Sequence, residues 1–197
     1  MNKILLLKTS LQLCKQFSAE GSSVKAISVQ FSKNYLASHS QPITNITEFS
    51  SLLSSLEQEH HSAIVRGAIA EDVDTSRSIR RRLRKGYLTD PNDYPIIDVP
   101  ASWIMIDIDK LPLPSNITLL AEPQQAIEYA ITQLPSEFHN VSYHWQLSAS
   151  AGVFSTETLS AHVYFWLDKP LLNEELRRWA RGLNNKRLVV PNLPWNL

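Results

Sequence analysis

The chain of 197 residues is predicted to adopt an α+β fold, and three observations predict it. Hydrophobic residues make up 43% of the sequence and charged residues 19%, which supplies enough apolar area for a core. Periodic segments follow one another as helix, strand, helix, strand, and then strand, helix, strand, strand, helix. Finally, residues 102–109 carry apolar side chains on both faces from Trp103 to Ile108, the pattern of a central strand covered on both sides. A chain of this length makes one domain, or two small modules sharing a sheet and a core.

Taken in order, Leu6, Leu13 and Phe17 have helical spacing and predict a helix over 3–17. A Gly/Ser break at 19–23 separates it from 24–31, which alternates as a strand does. Capping residues at 44–47, the first-turn acid Glu48 and the stripe Phe49, Leu52, Leu53, Leu56 predict a second helix over 47–59. Residues 63–69 read as a strand. The stretch 71–100 has an acidic start, a basic run and then turn chemistry at Asp90-Pro91-Asn92 and Pro95, which predicts a long irregular connection. Pro112 and Pro114 end the strand at 102–109. Pro123 opens a third helix with its stripe Ala126, Ile127, Ala130, Ile131 and Leu134, and Pro135 stops it. Strands are expected at 141–147 and 159–167, the second closed by a turn at Asp168-Lys169-Pro170. Asn173 then caps a last helix over 174–181 that Gly182 ends.

The 19 basic and 19 acidic residues cancel, so no whole-molecule field draws the chain to nucleic acid or to a membrane, and any such attraction is local. Cys14 is the only cysteine and cannot form an internal disulfide; beside Leu11, Leu13 and Phe17 it is expected as a buried thiol on a helix, in a reducing, cytoplasmic setting. Leu5, Leu6 and Leu7 beside Lys3 and Lys8 superficially suggest a signal peptide. The run is too short and is interrupted by Lys8, Gln12 and Lys15.

The sharpest chemical signal is Asp107-Ile108-Asp109. Strand side chains repeat every second residue, so both carboxylates leave one face together, and two hard oxygen ligands suit Mg²⁺ or Mn²⁺ with positions left for water and phosphate. A second copy, Asp72-Val73-Asp74, sits in loop-like sequence. Placement separates the two, because a carboxylate pair ending an apolar strand is costly unless charge compensates it. Ser160-Ala161-His162 likewise aims a hydroxyl and an imidazole at one face, together with Tyr164 and Trp166, where they can bond phosphate oxygens. Its decoy is Ser142-Tyr143-His144, and the bland alternative for either histidine is a hydrogen-bonded structural imidazole.

Residues 77–85 hold six basic residues in nine, Arg77, Arg80, Arg81, Arg82, Arg84 and Lys85, without one acid. They suit the phosphates of a template or nucleotide, or else form a solvated loop paired with Glu71, Asp72 and Asp74. Arg66, inside an expected strand, needs a carboxylate or a substrate phosphate. No Gly-rich phosphate loop, zinc-ligand spacing or nucleophile elbow occurs.

Two stretches, Trp103-Ile104-Met105-Ile106-Asp107-Ile108-Asp109 and Ser160-Ala161-His162-Val163-Tyr164-Phe165-Trp166-Leu167-Asp168-Lys169-Pro170, resemble in order and context the archaeo-eukaryotic primase superfamily. The likeness is to the primase-polymerase domains in replication proteins of plasmids, phages and integrated elements, and it covers about residues 60–180. It implies a single domain in which an N-terminal α/β module, about 1–100, stands beside a catalytic palm related to the RNA-recognition fold, about 101–197. Asp107 and Asp109 would hold Mg²⁺ or Mn²⁺; Ser160, His162 and Arg66 would meet the phosphates of a nucleoside triphosphate; the basic run would meet single-stranded DNA. The reaction would be template-directed nucleotidyl transfer, with a helicase partner, if any, outside this sequence. The family's third metal-binding aspartate lies on a strand after the last helix, yet residues 184–197 contain no Asp or Glu. A truncated or frameshifted reading frame is the expectation that follows. The alternatives are a remnant that binds nucleotide or single-stranded DNA without polymerising, and another two-metal phosphotransfer enzyme such as a nuclease.

Overall fold

A computed structural model describes residues 2–21, 23–84, 90–186 and 195–196. It is a mixed α+β structure of two compact units. The first gathers the chain up to Gln16, Ala26–Ser102 and Asp168–Asn173; the second gathers Phe17–Lys25, Trp103–Leu167 and the chain from Glu174 onward.

In the first unit, strand β1 (Asn2–Lys8) is the middle of an antiparallel sheet, between β4 (Leu36–Ile43) and β5 (Ser62–Val65). Residues 3–17 are therefore not the expected helix. Ile4, Leu5, Leu6 and Leu7 are all buried, because a central strand covered on both faces needs a continuous apolar run, and such a run has no period by which to tell strand from helix. Cys14 opens β2 (Cys14–Glu20), which pairs with β3 (Ser23–Gln30); the thiol is half-buried and donates to Gln30 Oε1 at 3.6 Å, so the expectation of a buried thiol on a helix is also corrected. β4 carries no strand signal in the sequence, being a polar strand that includes Pro42. Its Ser40 hydroxyl accepts the Ile4 N–H at 2.9 Å, where the β1–β4 register shifts.

Helix α1 (Ile46–Glu57) follows the sequence signals. Asn45 Oδ1 accepts the Glu48 N–H at 2.9 Å, and the Glu48 carboxylate accepts from the Thr44 N–H at 2.7 Å. The Thr44 N–H, then its hydroxyl, hold the Glu48 carboxyl below the ordinary carboxylate value. This lowered group stabilises the cap fully above the ordinary pKa, and the contribution is lost as pH falls through the native one. The strand expected over 63–69 is two strands, β5 and β6 (Ala68–Ile69), separated at Arg66-Gly67. β6 pairs with β7 (Ile96–Ile97), and a Cβ at residue 67 would come within 2.7 Å of Ile96 Cγ2 and 2.9 Å of the Ile97 carbonyl oxygen, so only glycine fits.

The second unit is built on the greater part of β8 (Ala101–Pro112), α2 (Pro123–Thr132), β9 (Tyr143–Leu147), the greater part of β10 (Thr158–Leu171), α3 (Asn173–Lys186) and β11 (Trp195–Asn196), with sheet order β11-β8-β10-β9. This is the split β-α-β, β-α-β arrangement, which puts β8 and β10 side by side in the middle. One sheet face carries Ile104, Ile106 and Ile108 of β8 with Leu159, Ala161, Val163 and Phe165 of β10, all buried. That face meets the helices: Trp145 Nε1–H donates to Gln124 Oε1 of α2 at 3.0 Å, while Phe138 packs 4.7 Å from the Phe165 ring and 5.5 Å from Trp179 of α3. Several sequence boundaries move: β8 runs on to Pro112 where its end was expected at 109, and β9 begins at Tyr143 where 141 was expected. β10 runs on through Asp168-Lys169-Pro170, where a turn was expected; β9 pairs with it only from Ala161 to Phe165, so Pro170 costs no bond on that side. Helix α3 continues past Gly182 to Lys186, so Gly182 does not end it.

Candidate metal and phosphate site

Alternation along β8 and β10 decides what the other sheet face presents. With the isoleucines of β8 and residues 159–165 of odd number on β10 turned to the helices, Asp107, Asp109, Ser160 and His162 all stand on the opposite side. The two strands bring them together pairwise. His162 Nε2 lies 3.5 Å from Asp107 Oδ1, and both side chains are 35% exposed, accessible yet partly desolvated. Ser160 donates from its hydroxyl toward Asp109 Oδ1 at 3.4 Å and accepts the Lys110 N–H at 3.0 Å. Each carboxylate thus has one partner from β10, and the hydroxyl is anchored by backbone.

Farther along the same face the side chains turn aromatic. Trp103 and Tyr164 are buried with ring centroids 6.4 Å apart, and the His144 ring lies 6.0 Å from Tyr164. The register pairs Tyr164 with His144, which puts His144 on the Asp107 side of the sheet, one strand removed from β8. The decoy histidine therefore shares the face but packs against Tyr164 at 9% exposure, whereas Ser142 is exposed and precedes β9. The alternation of Trp103 and Tyr164 is the only sequence signal for this aromatic end, and it is a weak one, since buried aromatics on a strand usually mean core.

The donor set suits a hard divalent cation that retains open positions. Mg²⁺ in phosphate-handling sites commonly takes one or two carboxylates and completes its shell with water and phosphate oxygens. Asp107 and Asp109 can supply those two. Among the described residues no group of three or more His, Cys, Asp or Glu side chains is placed to hold a metal ion. On β11 the residue in register with Asp107 is Asn196.

The other candidates are engaged elsewhere in the first unit. Asp72 pairs with Arg84 at 2.8 Å. Asp74 Oδ1 accepts from the Ser76 hydroxyl at 2.6 Å and the Ser76 N–H at 3.0 Å, bonds that hold its carboxyl below the ordinary value. That second Asp-x-Asp is thus turn and ion-pair chemistry. Arg66 directs Nη1 to Asn173 Oδ1 at 2.6 Å and Nη2 to the carbonyls of Leu171 and Ala101, so an amide and backbone oxygens of its own unit are among its partners. Asn173, expected as a plain helix cap, also takes Asp98 as acceptor for its N–H at 3.0 Å.

The basic run is tied down more than a loop reading implies. Ile79 is buried with Leu5, Leu7, Tyr35 and Val73, and its N–H and C=O exchange bonds with Tyr35 at 2.8 and 2.9 Å. Arg77 lies 3.6 Å from Asp90, Arg80 3.4 Å from Asp93 and Arg84 2.8 Å from Asp72, while Arg82 stands over the Tyr94 ring at 5.4 Å. The acids thus come chiefly from 90–93, across the connection, and only Asp72 from the acidic start. Arg81 is exposed, and Lys85 lies outside the described residues. Replacing Arg80, Arg81 and Arg82 by Ala should therefore flatten the salt dependence of single-strand binding only modestly, by about 0.7 in log–log slope for each phosphate no longer neutralised. Binding to oligo-dT across a salt series reads this directly. An unchanged slope would assign the run to structure alone.

No family model matches the sequence, and no curated protein or solved structure matches it either.

Proposed function

We propose that the second unit is a palm of the primase-polymerase kind, which binds a nucleoside triphosphate with Mg²⁺ or Mn²⁺ and joins it to a growing strand on a single-stranded DNA template. One observation carries the reading: two carboxylates, an imidazole and a hydroxyl from neighbouring central strands converge on one sheet face, His162 on Asp107 and Ser160 on Asp109. The β11-β8-β10-β9 order supports it, being the arrangement the family resemblance implies for a palm.

In this reading Asp107 and Asp109 would hold the cation that accompanies the triphosphate. His162, accessible beside Asp107, hydrogen-bonds a phosphate oxygen and steadies charge on the departing pyrophosphate. Ser160 keeps Asp109 in place. The 3′-oxygen of the primer attacks the α-phosphorus, the α–β bridging bond breaks, and the hydroxyl proton passes to solvent. When bound, the divalent ion lowers the pKa of the attacking hydroxyl and shields the leaving group, so no protein nucleophile is required.

Residues 184–197 contain no Asp or Glu, which favours a second reading in which the face binds nucleotide but transfers slowly or not at all. Primer extension on a single-stranded template, with Mn²⁺ and either set of nucleoside triphosphates, separates the two. Extension lost in Asp107→Asn/Asp109→Asn supports the polymerase reading. Metal-dependent nucleotide binding without extension supports the second, and absence of both overturns the site.

A further inference from the structure

The inward alternation of β8 slips by one residue at its functional end. Ile104, Ile106 and Ile108 are 1%, 3% and 1% exposed, but the next core-facing residue is Leu111 at 2%, not residue 110. Two consecutive exposed residues, Asp109 and Lys110, therefore stand on the outward side. Lys110 takes φ 56, its N–H turns to Ser160 Oγ at 3.0 Å, and main-chain bonding to the β10 side is seen again at Leu113 N–H to Glu157 O, 2.9 Å. These are the marks of a β-bulge, a device that re-aims a side chain beside a site. A left-handed φ is strained for a residue with a Cβ, and glycine would meet the backbone need without strain. The strain is retained with a lysine, whose ammonium forms no ion pair among the described residues.

We propose that Lys110 is a phosphate-binding residue of this site, contacting an oxygen of a polyphosphate that the divalent cation does not bind. The inference rests on reading Asp107 and Asp109 as the cation site. Two carboxylates and one divalent ion sum to zero charge, so they leave a triphosphate's remaining negative charge uncompensated. The bulge turns a permanent cation to the sheet face that carries Asp107 and Asp109. A regular strand would send residue 110 to the core face with Ile104, Ile106 and Ile108.

The test measures two affinities on the full chain, for Mn²⁺ alone and for inorganic tripolyphosphate with Mn²⁺ present, in the wild type, Lys110→Gly and Lys110→Arg. Lys110→Gly should bind Mn²⁺ as well as the wild type and unfold at the same or a higher temperature, yet bind tripolyphosphate about tenfold more weakly, the loss of one charged hydrogen bond. Lys110→Arg should restore most of that affinity. Tripolyphosphate bound equally by wild type and Lys110→Gly, with Mn²⁺ binding intact, would overturn the role of Lys110 alone. A wild type that takes up no Mn²⁺ would overturn the carboxylate site, and the role of Lys110 with it.

Discussion

Neutralising both carboxylates, as Asp107→Asn/Asp109→Asn, is expected to abolish measurable Mn²⁺ binding while leaving the fold intact. Loss of a partner that merely orients a metal ligand costs about 10–100-fold in affinity, so removing both proposed ligands should cost at least as much. Stability should hardly change, because two small effects oppose one another. The substitutions relieve like-charge repulsion between the carboxylates, which stabilises. They also remove the 3.5 Å His162–Asp107 pairing, whose partners are each 35% exposed, and pairs so hydrated contribute about 0–1 kcal/mol. Calorimetric titration with Mn²⁺, beside a thermal melt, reads both. Equal Mn²⁺ affinity in variant and wild type would eliminate the site.

The second large effect is expected at His162. His162→Ala should weaken nucleoside-triphosphate binding by about 1.5–3 kcal/mol, the range for a hydrogen bond to a charged group. His144→Ala should leave that affinity almost unchanged and lower stability instead, because its ring is 9% exposed and packs 6.0 Å from Tyr164. The two histidines share a sheet face, so the comparison holds strand chemistry constant and varies proximity to Asp107. Equal losses of affinity in both variants would mean that the face is merely polar.

How far the sequence foretells this arrangement depends on whether a segment has a period. Asp107, Asp109, Ser160 and His162 are legible, because both strands alternate cleanly where they bear these residues and alternation alone makes them cofacial. Helix α1 is legible because Asn45, Glu48, Phe49 and Leu53 each signal in their own way. β1 is not: four consecutive buried residues, Ile4 to Leu7, satisfy a helix or a doubly covered strand equally well. The outward turn of Lys110 is hidden for the opposite reason, since the bulge breaks the period that makes its neighbours readable. The acids opposite Arg77 and Arg80 are hidden too, being brought across by the pairing of the connection with residues 92–96 and not by nearness in sequence.

The most direct test of the central claim is the effect of substoichiometric Mn²⁺ on the histidine ring signals in NMR. A paramagnetic ion held by Asp107 and Asp109 sits beside the His162 imidazole, 3.5 Å from Asp107, and should broaden its resonances first. His139, whose ring nitrogen bonds the Leu134 carbonyl at 3.0 Å, should stay sharp at the same Mn²⁺ level. Selective broadening of His162 that disappears in Asp107→Asn/Asp109→Asn is the predicted result. Broadening of both rings alike, or of neither, would contradict a cation site on this face of the sheet.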